Sequence, residues 1–202
     1  MRSIYKIVVC SLLTLSITSC EKDLLEKEQY QKEIYLIGAY NRVWTTEVSY
    51  SNEEVKTYFT VSSSGTLALD RDVNVKMKIN EELVDIYNKK YWTVLNEDKY
   101  YKSLDTDLYS IPSLENTVIK HAEGISAEVP VLIKTASLKI DQSYVIPVEI
   151  ESTTGYPISE SGYKMLILLK LKNDYSGSYQ MSGHTTLEGE TPKTIQKPKT
   201  IK

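Results

Sequence analysis

Cysteine is almost missing. The 202 residues hold two, Cys10 and Cys20, and none follows. A disulfide framework or a cysteine-ligated metal site is thereby excluded for the rest of the chain. Histidine is as scarce. His121 and His184 lie in separate segments without H-E-x-x-H spacing, and they read as solvated loop residues rather than metal ligands. No G-x-S-x-G, P-loop or G-x-G-x-x-G motif occurs, so nothing calls for a nucleophile elbow, a nucleotide or any other cofactor. Basic residues number 24 against 27 acidic, and no basic patch argues for nucleic acid. Phenylalanine occurs once and tryptophan twice, against 16 tyrosines. Tyrosine favours strands and carries a flat apolar ring with a polar tip. That composition suits a β protein with a wet surface, or a surface built to stack on sugars.

The N-terminus carries a different signal. Arg2 and Lys6 form a basic start, and Ile7 to Ile17 form an apolar run too short to span a bilayer. Residues 1–19 thus have the layout of a secretory signal peptide. Ile17-Thr18-Ser19-Cys20 resembles a bacterial lipobox, whose cysteine receives a diacylglycerol and, after cleavage, an acyl chain on the new amine. Several acyl chains hold a protein on a membrane where one is marginal. The alternative is an ordinary signal peptide with a chance cysteine. Glu21-Lys22-Asp23 resemble the export signal of Bacteroidetes surface lipoproteins. The expectation is lipidation at Cys20 and an outer-membrane, lipid-anchored protein facing the cell exterior. Residues 20–33 then read as the lipidated cysteine and a tether.

Alternation defines the body. "IYLIGAY" (34–40) reads as a first strand. In "VKTYFTV" Val55, Thr57, Phe59 and Val61 share one face, and in "DVNVKMKIN" Val73, Val75, Met77 and Ile79 do. Asn80 is placed to cap a helix over about 81–90, with Glu81 and Glu82 in its first turn. Residues 91–124 look irregular. "AEVPVLI", "YVIPVEIES" and "YKMLILLKLK" are further strands, and Pro130 disfavours a central position for the first of them. Met165, Ile167, Leu169 and Leu171 share a face, yet Leu166 and Leu168 make the opposite face apolar too. That second face should meet another layer. The pattern predicts an all-β, immunoglobulin-like antiparallel β-sandwich over 34–173 with one short helix. Residues 174–202 are poor in large apolar groups and read as the incomplete or disordered start of a second β domain.

Candidate chemistry is thin. Glu53-Glu54, Glu81-Glu82 and Asp105 with Asp107 are carboxylate pairs, as glycosidases require, but adjacent carboxylates are expected in so acidic a chain. "LDTDLYS" offers oxygen ligands for calcium without the EF-hand glycine or terminal glutamate. Ser62-Ser63-Ser64-Gly65 reads as a hairpin-type turn. Two aromatic clusters remain: Tyr91 and Trp92 with Tyr100 and Tyr101, and Tyr40 with Trp44. Each tryptophan could plug the core. Trp92, Tyr91, Tyr100, Tyr101 and Trp44 are otherwise the candidates for stacking on pyranose faces.

The order of these features resembles a known domain. "VNVKMKIN", "LVDIYNKKY" with Tyr87-Asn88, "VLNEDKYY", "IKHAEGISAEVPVLI" and "LKIDQSYVIPVEIESTTGYPIS" run in the sequence of the N-terminal β-sandwich domain, of uncharacterised function, found in Bacteroidetes surface lipoproteins of glycan-utilisation loci. The same domain precedes the catalytic barrel of some family 18 endo-β-N-acetylglucosaminidases. Leu95-Asn96 stands where that family often has Leu-Pro, and the stretch 100–118 is longer than usual. "YSGSYQMSGH" looks like the opening strand of the second β domain such lipoproteins carry. The resemblance carries no catalytic residue. It implies a non-catalytic accessory that holds oligosaccharide near an outer-membrane glycan transporter. The alternatives are a spacer or protein-interaction module without sugar affinity, and the truncated N-terminal module of a glycosidase.

Overall fold

Alternating apolar residues build two sheets that face each other. A computed structural model describes residues 27–201, apart from 174, 176, 186–190 and 192. The leader and Cys20 lie outside the described residues. In chain order the elements are β1 (Ile34–Leu36), β2 (Val43–Ser49), β3 (Glu54–Ser63), β4 (Val73–Ile79), the helix α1 (Glu82–Tyr91), β5 (Lys102–Ser103) and β6 (Tyr109–Ser110). They continue with β7 (Thr117–Ile119), β8 (Ser126–Lys134), β9 (Tyr144–Thr153), β10 (Lys164–Lys172), β11 (Gly177–Thr185) and β12 (Lys193–Ile201). One sheet runs β1-β3-β8-β6; the other runs β2-β10-β9-β4-β7, with β5 beside β9.

The expected sandwich forms, and its inward faces are those read from the sequence. Phe59 and Val61 of β3 and Val129, Val131 and Ile133 of β8 meet Val75 and Met77 of β4, Ile146 and Val148 of β9, and Met165 and Ile167 of β10, all buried. Pro130 lies opposite Tyr58 of β3, beyond the end of β6, which reaches only Leu132 and Ile133. Its missing N–H therefore interrupts no ladder on that side.

Four details depart from expectation. The first strand stops at Leu36, because Gly38 takes φ 89° and a short 3-10 turn, Ala39–Asn41, follows. A side chain at Gly38 would meet the Trp44 ring, 2.6 Å from where its Cβ would stand. Ser62 and Ser63 are strand residues, not turn residues; they are buried, and their hydroxyls donate to the backbone carbonyls of Ile125 and Ser64. β2 was not expected at all, and it pairs with β10 in parallel, Val43 beside Leu166, so the sandwich is not wholly antiparallel. Short strands β5, β6 and β7 lie within the stretch that read as irregular.

The second apolar face of β10 does meet another layer. Leu166, Val145 of β9, and Leu83 and Val84 of α1 form a separate buried cluster, with Val43, Leu168, Tyr87 and Tyr101 packed around it. α1 starts where the sequence placed it, within a residue. Asn80 accepts the Glu82 N–H at 3.1 Å through Oδ1, satisfying one free donor of the first turn. Further along, residues 28–33 lie against the turn after β3: Ser64 N–H donates to the Glu33 carbonyl, and the Ser64 hydroxyl to the Gln31 carbonyl. Among the described residues β11 and β12 pair only with each other, Met181 opposite Lys197.

Candidate functional site

A cleft of about 240 Å³ opens on the outer face of the second sheet, where α1 ends its cover. Three segments build it. The 3-10 turn and the residue after it contribute Ala39, Tyr40 and Arg42; α1 contributes Leu83, Ile86 and Tyr87; the start of β10 and the loop before it contribute Glu160, Ser161, Lys164, Met165 and Leu166. The parallel pairing of β2 with β10 brings the first and last segments together, and the Leu166 N–H donates to the Arg42 carbonyl at 2.8 Å. Tyr40 is 68% exposed and Ile86 53%, so the rim presents an aromatic ring and an aliphatic side chain to solvent. Leu83 and Leu166 form the apolar floor.

Behind the cleft stands an aromatic stack. The Tyr87 ring lies 5.2 Å from the Tyr101 ring at an interplanar angle of 11°, and 4.5 Å from the Tyr91 ring at 35°. Burial and the neighbouring Tyr101 phenol push the Tyr87 hydroxyl up to about 12. One buried residue fixes this stack. Asn88 donates from Nδ2 to the Tyr101 carbonyl and accepts the Tyr101 N–H at Oδ1, both at 2.9 Å. Its side chain thus replaces a peptide unit and pins the segment after α1 to the helix.

The expected site residues are divided by this arrangement. Tyr91 is half exposed, and Tyr101 is packed into the stack. Trp92 ends α1, half-buried, with Lys99 Nζ 5.6 Å from its ring centre and its indole N–H buried without a partner among the described residues. Tyr100 is half-buried at the end of the 3-10 segment Val94–Lys99. Trp44 lies apart from them, on the inward side of β2 with its ring over Gly38, and does not line the cleft. Tyr40 and Tyr87, one from each aromatic neighbourhood, do line it together. Arg42, Glu160, Ser161 and Lys164 were missed. Arg42 and Lys164 are far apart in sequence, and no local pattern marks them. The apolar side of Leu166 and Leu168, facing an amphipathic helix, was the one available signal for this region.

Among the described residues no group of three or more His, Cys, Asp or Glu side chains could hold a metal ion. His121 and Asp72 pair at the surface, Nδ1 to Oδ1 at 2.6 Å, and that contact holds the Asp72 carboxyl below its usual range. Asp105 immediately precedes the exposed 3-10 turn Thr106–Leu108, and Asp107 lies within it.

The fold and the cleft define a two-sheet β-sandwich whose second sheet is part-covered by a helix. A family model described as an N-terminal domain matches residues 30–157, more than half of the chain, and a companion model described as C-terminal matches residues 163–202. The chain belongs to this family. A Bacteroides ovatus protein of unknown function has the same fold, with a TM-score of 0.62 at 20% identity over 85% of this chain and 57% of that one. An auxiliary nutrient binding protein from Bacteroides thetaiotaomicron matches with a TM-score of 0.56 at 16% identity, over 80% of this chain and 56% of its own. A candidate carbohydrate binding protein from B. ovatus matches at 0.52 and 17% identity, over 78% and 43%. The chain spans less than two thirds of the length of each. No curated protein matches it.

Proposed function

We propose that this protein is a non-catalytic, glycan-binding accessory of a polysaccharide-uptake system, lipid-anchored through Cys20 at the outer-membrane surface and working beside a glycan transporter. The observation that carries the reading is the cleft, where Tyr40 and Tyr87 flank an apolar floor and Arg42, Glu160, Ser161 and Lys164 supply polar groups. Flat rings stack on the apolar faces of pyranoses, and a few fixed polar groups set orientation. The volume is on the scale of a single sugar ring. Tyr91, Trp92, Tyr100 and Tyr101 extend the aromatic surface along and beyond α1, and Trp44 supports the 39–42 turn from its other side. Two proteins of similar fold are named for nutrient or carbohydrate binding, which agrees with this reading. Glycoside hydrolysis uses two opposed carboxyl groups; among the described residues Glu160 is the one carboxylate of the cleft.

A spacer without sugar affinity is the second reading. The buried Asn88–Tyr101 pairing favours it, because it gives the Tyr87–Tyr101 stack a structural role. Titration of the purified protein with oligosaccharides, followed by calorimetry, separates the two. Tyr40→Ala should abolish binding and leave Tm unchanged. No heat from any glycan at millimolar concentration would leave the spacer. Membrane anchoring is checked separately: Cys20→Ala should move the protein from the membrane fraction to the soluble one.

A further inference from the structure

The aromatic lining does not account for the charge of the cleft. Arg42 and Lys164 oppose a single Glu160 there, in a chain whose net charge is −3. Lys164 stands on the same side of β10 as Leu166 and Leu168, facing outward, with its Nζ 4.8 Å from the Tyr163 ring centre. The Arg42 guanidinium is exposed and has no hydrogen-bond or ion-pair partner among the described residues.

The backbone of Arg42 makes it unusual. It has φ 62° and ψ −21°, and among the described residues it alone, glycines aside, has a positive φ. It closes the 39–41 turn by donating its N–H to the Ala39 carbonyl. Glycine fills such a position without a Cβ penalty, and asparagine fills it readily. An arginine there costs stability. Strained positions of this kind concentrate where a side chain must be aimed at a ligand. The left-handed conformation also breaks the alternation of the approaching β2 strand and turns Arg42 into the cleft lining, between Tyr40 and the start of β10.

We infer that the cleft selects an anionic sugar, a uronate whose carboxylate pairs with the Arg42 guanidinium while its ring stacks on Tyr40 and meets the edge of Tyr87, whose faces are held by Tyr91 and Tyr101. This rests on the glycan reading of the same cleft. The planar guanidinium fork matches a carboxylate with two parallel hydrogen bonds. Lys164 adds a second cation, and the excess of cations over Glu160 draws an anion into a chain that otherwise repels it. Glu160, an acceptor only, takes hydroxyl hydrogens of the sugar.

The test compares trigalacturonate with galactotriose, its neutral counterpart, by calorimetric titration of the full chain and of Arg42→Gly. The wild type should bind the uronate roughly tenfold more tightly than the neutral sugar. Arg42→Gly should lose that preference, binding the uronate no more tightly than the neutral sugar, and show a higher Tm because glycine takes a positive φ without a Cβ penalty. A wild type that binds both sugars equally overturns the uronate inference and leaves the glycan reading standing. Binding of neither sugar overturns both. A preference that survives in Arg42→Gly, or a Tm that falls, would show that the arginine is there for another reason and overturns the inference.

Discussion

On the outward side of β10 Lys164 opens the row at the cleft, Leu166 and Leu168 follow, and Lys170 and Lys172 end it; the leucine and lysine halves are finished differently. The leucine half joins Val43 and Val145 under α1. The lysine half carries no helix. Lys170 bonds Glu47 of β2 at 3.1 Å, and Lys172 bonds the other carboxylate oxygen of Glu47. Lys76 and Glu151 form a similar pair between β4 and β9 at 2.7 Å. A β-sheet face needs either a second layer or enough charge to stay in water. Here one sheet uses both, and the cleft opens beside the helix at the apolar half. The helix-covered half should therefore carry stability, and the charged half little.

Breaking the apolar half should give the largest effect. Leu166 is 2% exposed, and Leu166→Ala should cost about 2–5 kcal/mol, measured by urea denaturation. A loss near zero would mean that α1 is not held by this contact. Next comes Asn88. Asn88→Ala leaves the N–H and carbonyl of Tyr101 without their partner and should cost about 1–3 kcal/mol. Asn88→Asp sharpens the point: it keeps an acceptor for the Tyr101 N–H but sets a buried carboxylate oxygen against the Tyr101 carbonyl, and at neutral pH it should cost at least as much as Asn88→Ala. The ring-current shifts of Tyr87 and Tyr101 in proton NMR should collapse in step with these losses.

The same contrast explains what could be read in advance. Inward faces with a period of two were legible because every second residue is apolar from Val73 to Met77 and from Val129 to Ile133. The helix layer was half legible. Leu166 and Leu168 announced a partner, and Leu83 and Tyr87 lay on an amphipathic helix, but nothing in either stretch said that they meet. β2 escaped because Trp44, Thr46 and Val48 make a weak apolar face, and because its parallel partner β10 lies far away in the chain. The aromatic clusters were legible as clusters, not as sites. Which rings stack inward depends on Asn88, whose long-range hydrogen bonds leave no trace in a periodic pattern. Arg42 entered no expectation, since a left-handed residue other than glycine or asparagine has no sequence signature.

Alkaline titration probes the apolar half by another route. The Tyr87 hydroxyl is pushed up to about 12, chiefly by burial, while in the unfolded chain it ionises near the ordinary tyrosine value of about 10. The folded state therefore holds this proton more tightly. Stability should be constant below about pH 10 and fall as pH rises from there toward 12, because the unfolded chain loses the proton first. Tyr87→Phe should remove that part of the decline. If absorbance at 295 nm shows every tyrosine ionising near 10, the stack is open to water and the contrast between the two halves weakens.

The charged half should give the smallest response. Lys172 and Lys170 hold the Glu47 carboxyl below its ordinary value, first through hydrogen bonds and then through their charge. A depressed carboxyl stabilises the folded state above the unfolded value, and that contribution disappears as pH falls through the lower folded one. The sign is thus clear: acid weakens this half. The size is small, because Glu47 and both lysines are exposed and exposed pairs are screened by water and salt. Glu47→Gln should leave Tm nearly unchanged at neutral pH and slightly flatten its fall in acid. Raising the salt concentration should erase even that difference. A large drop in Tm for Glu47→Gln, persisting at high salt, would mean that the charged half also carries the fold.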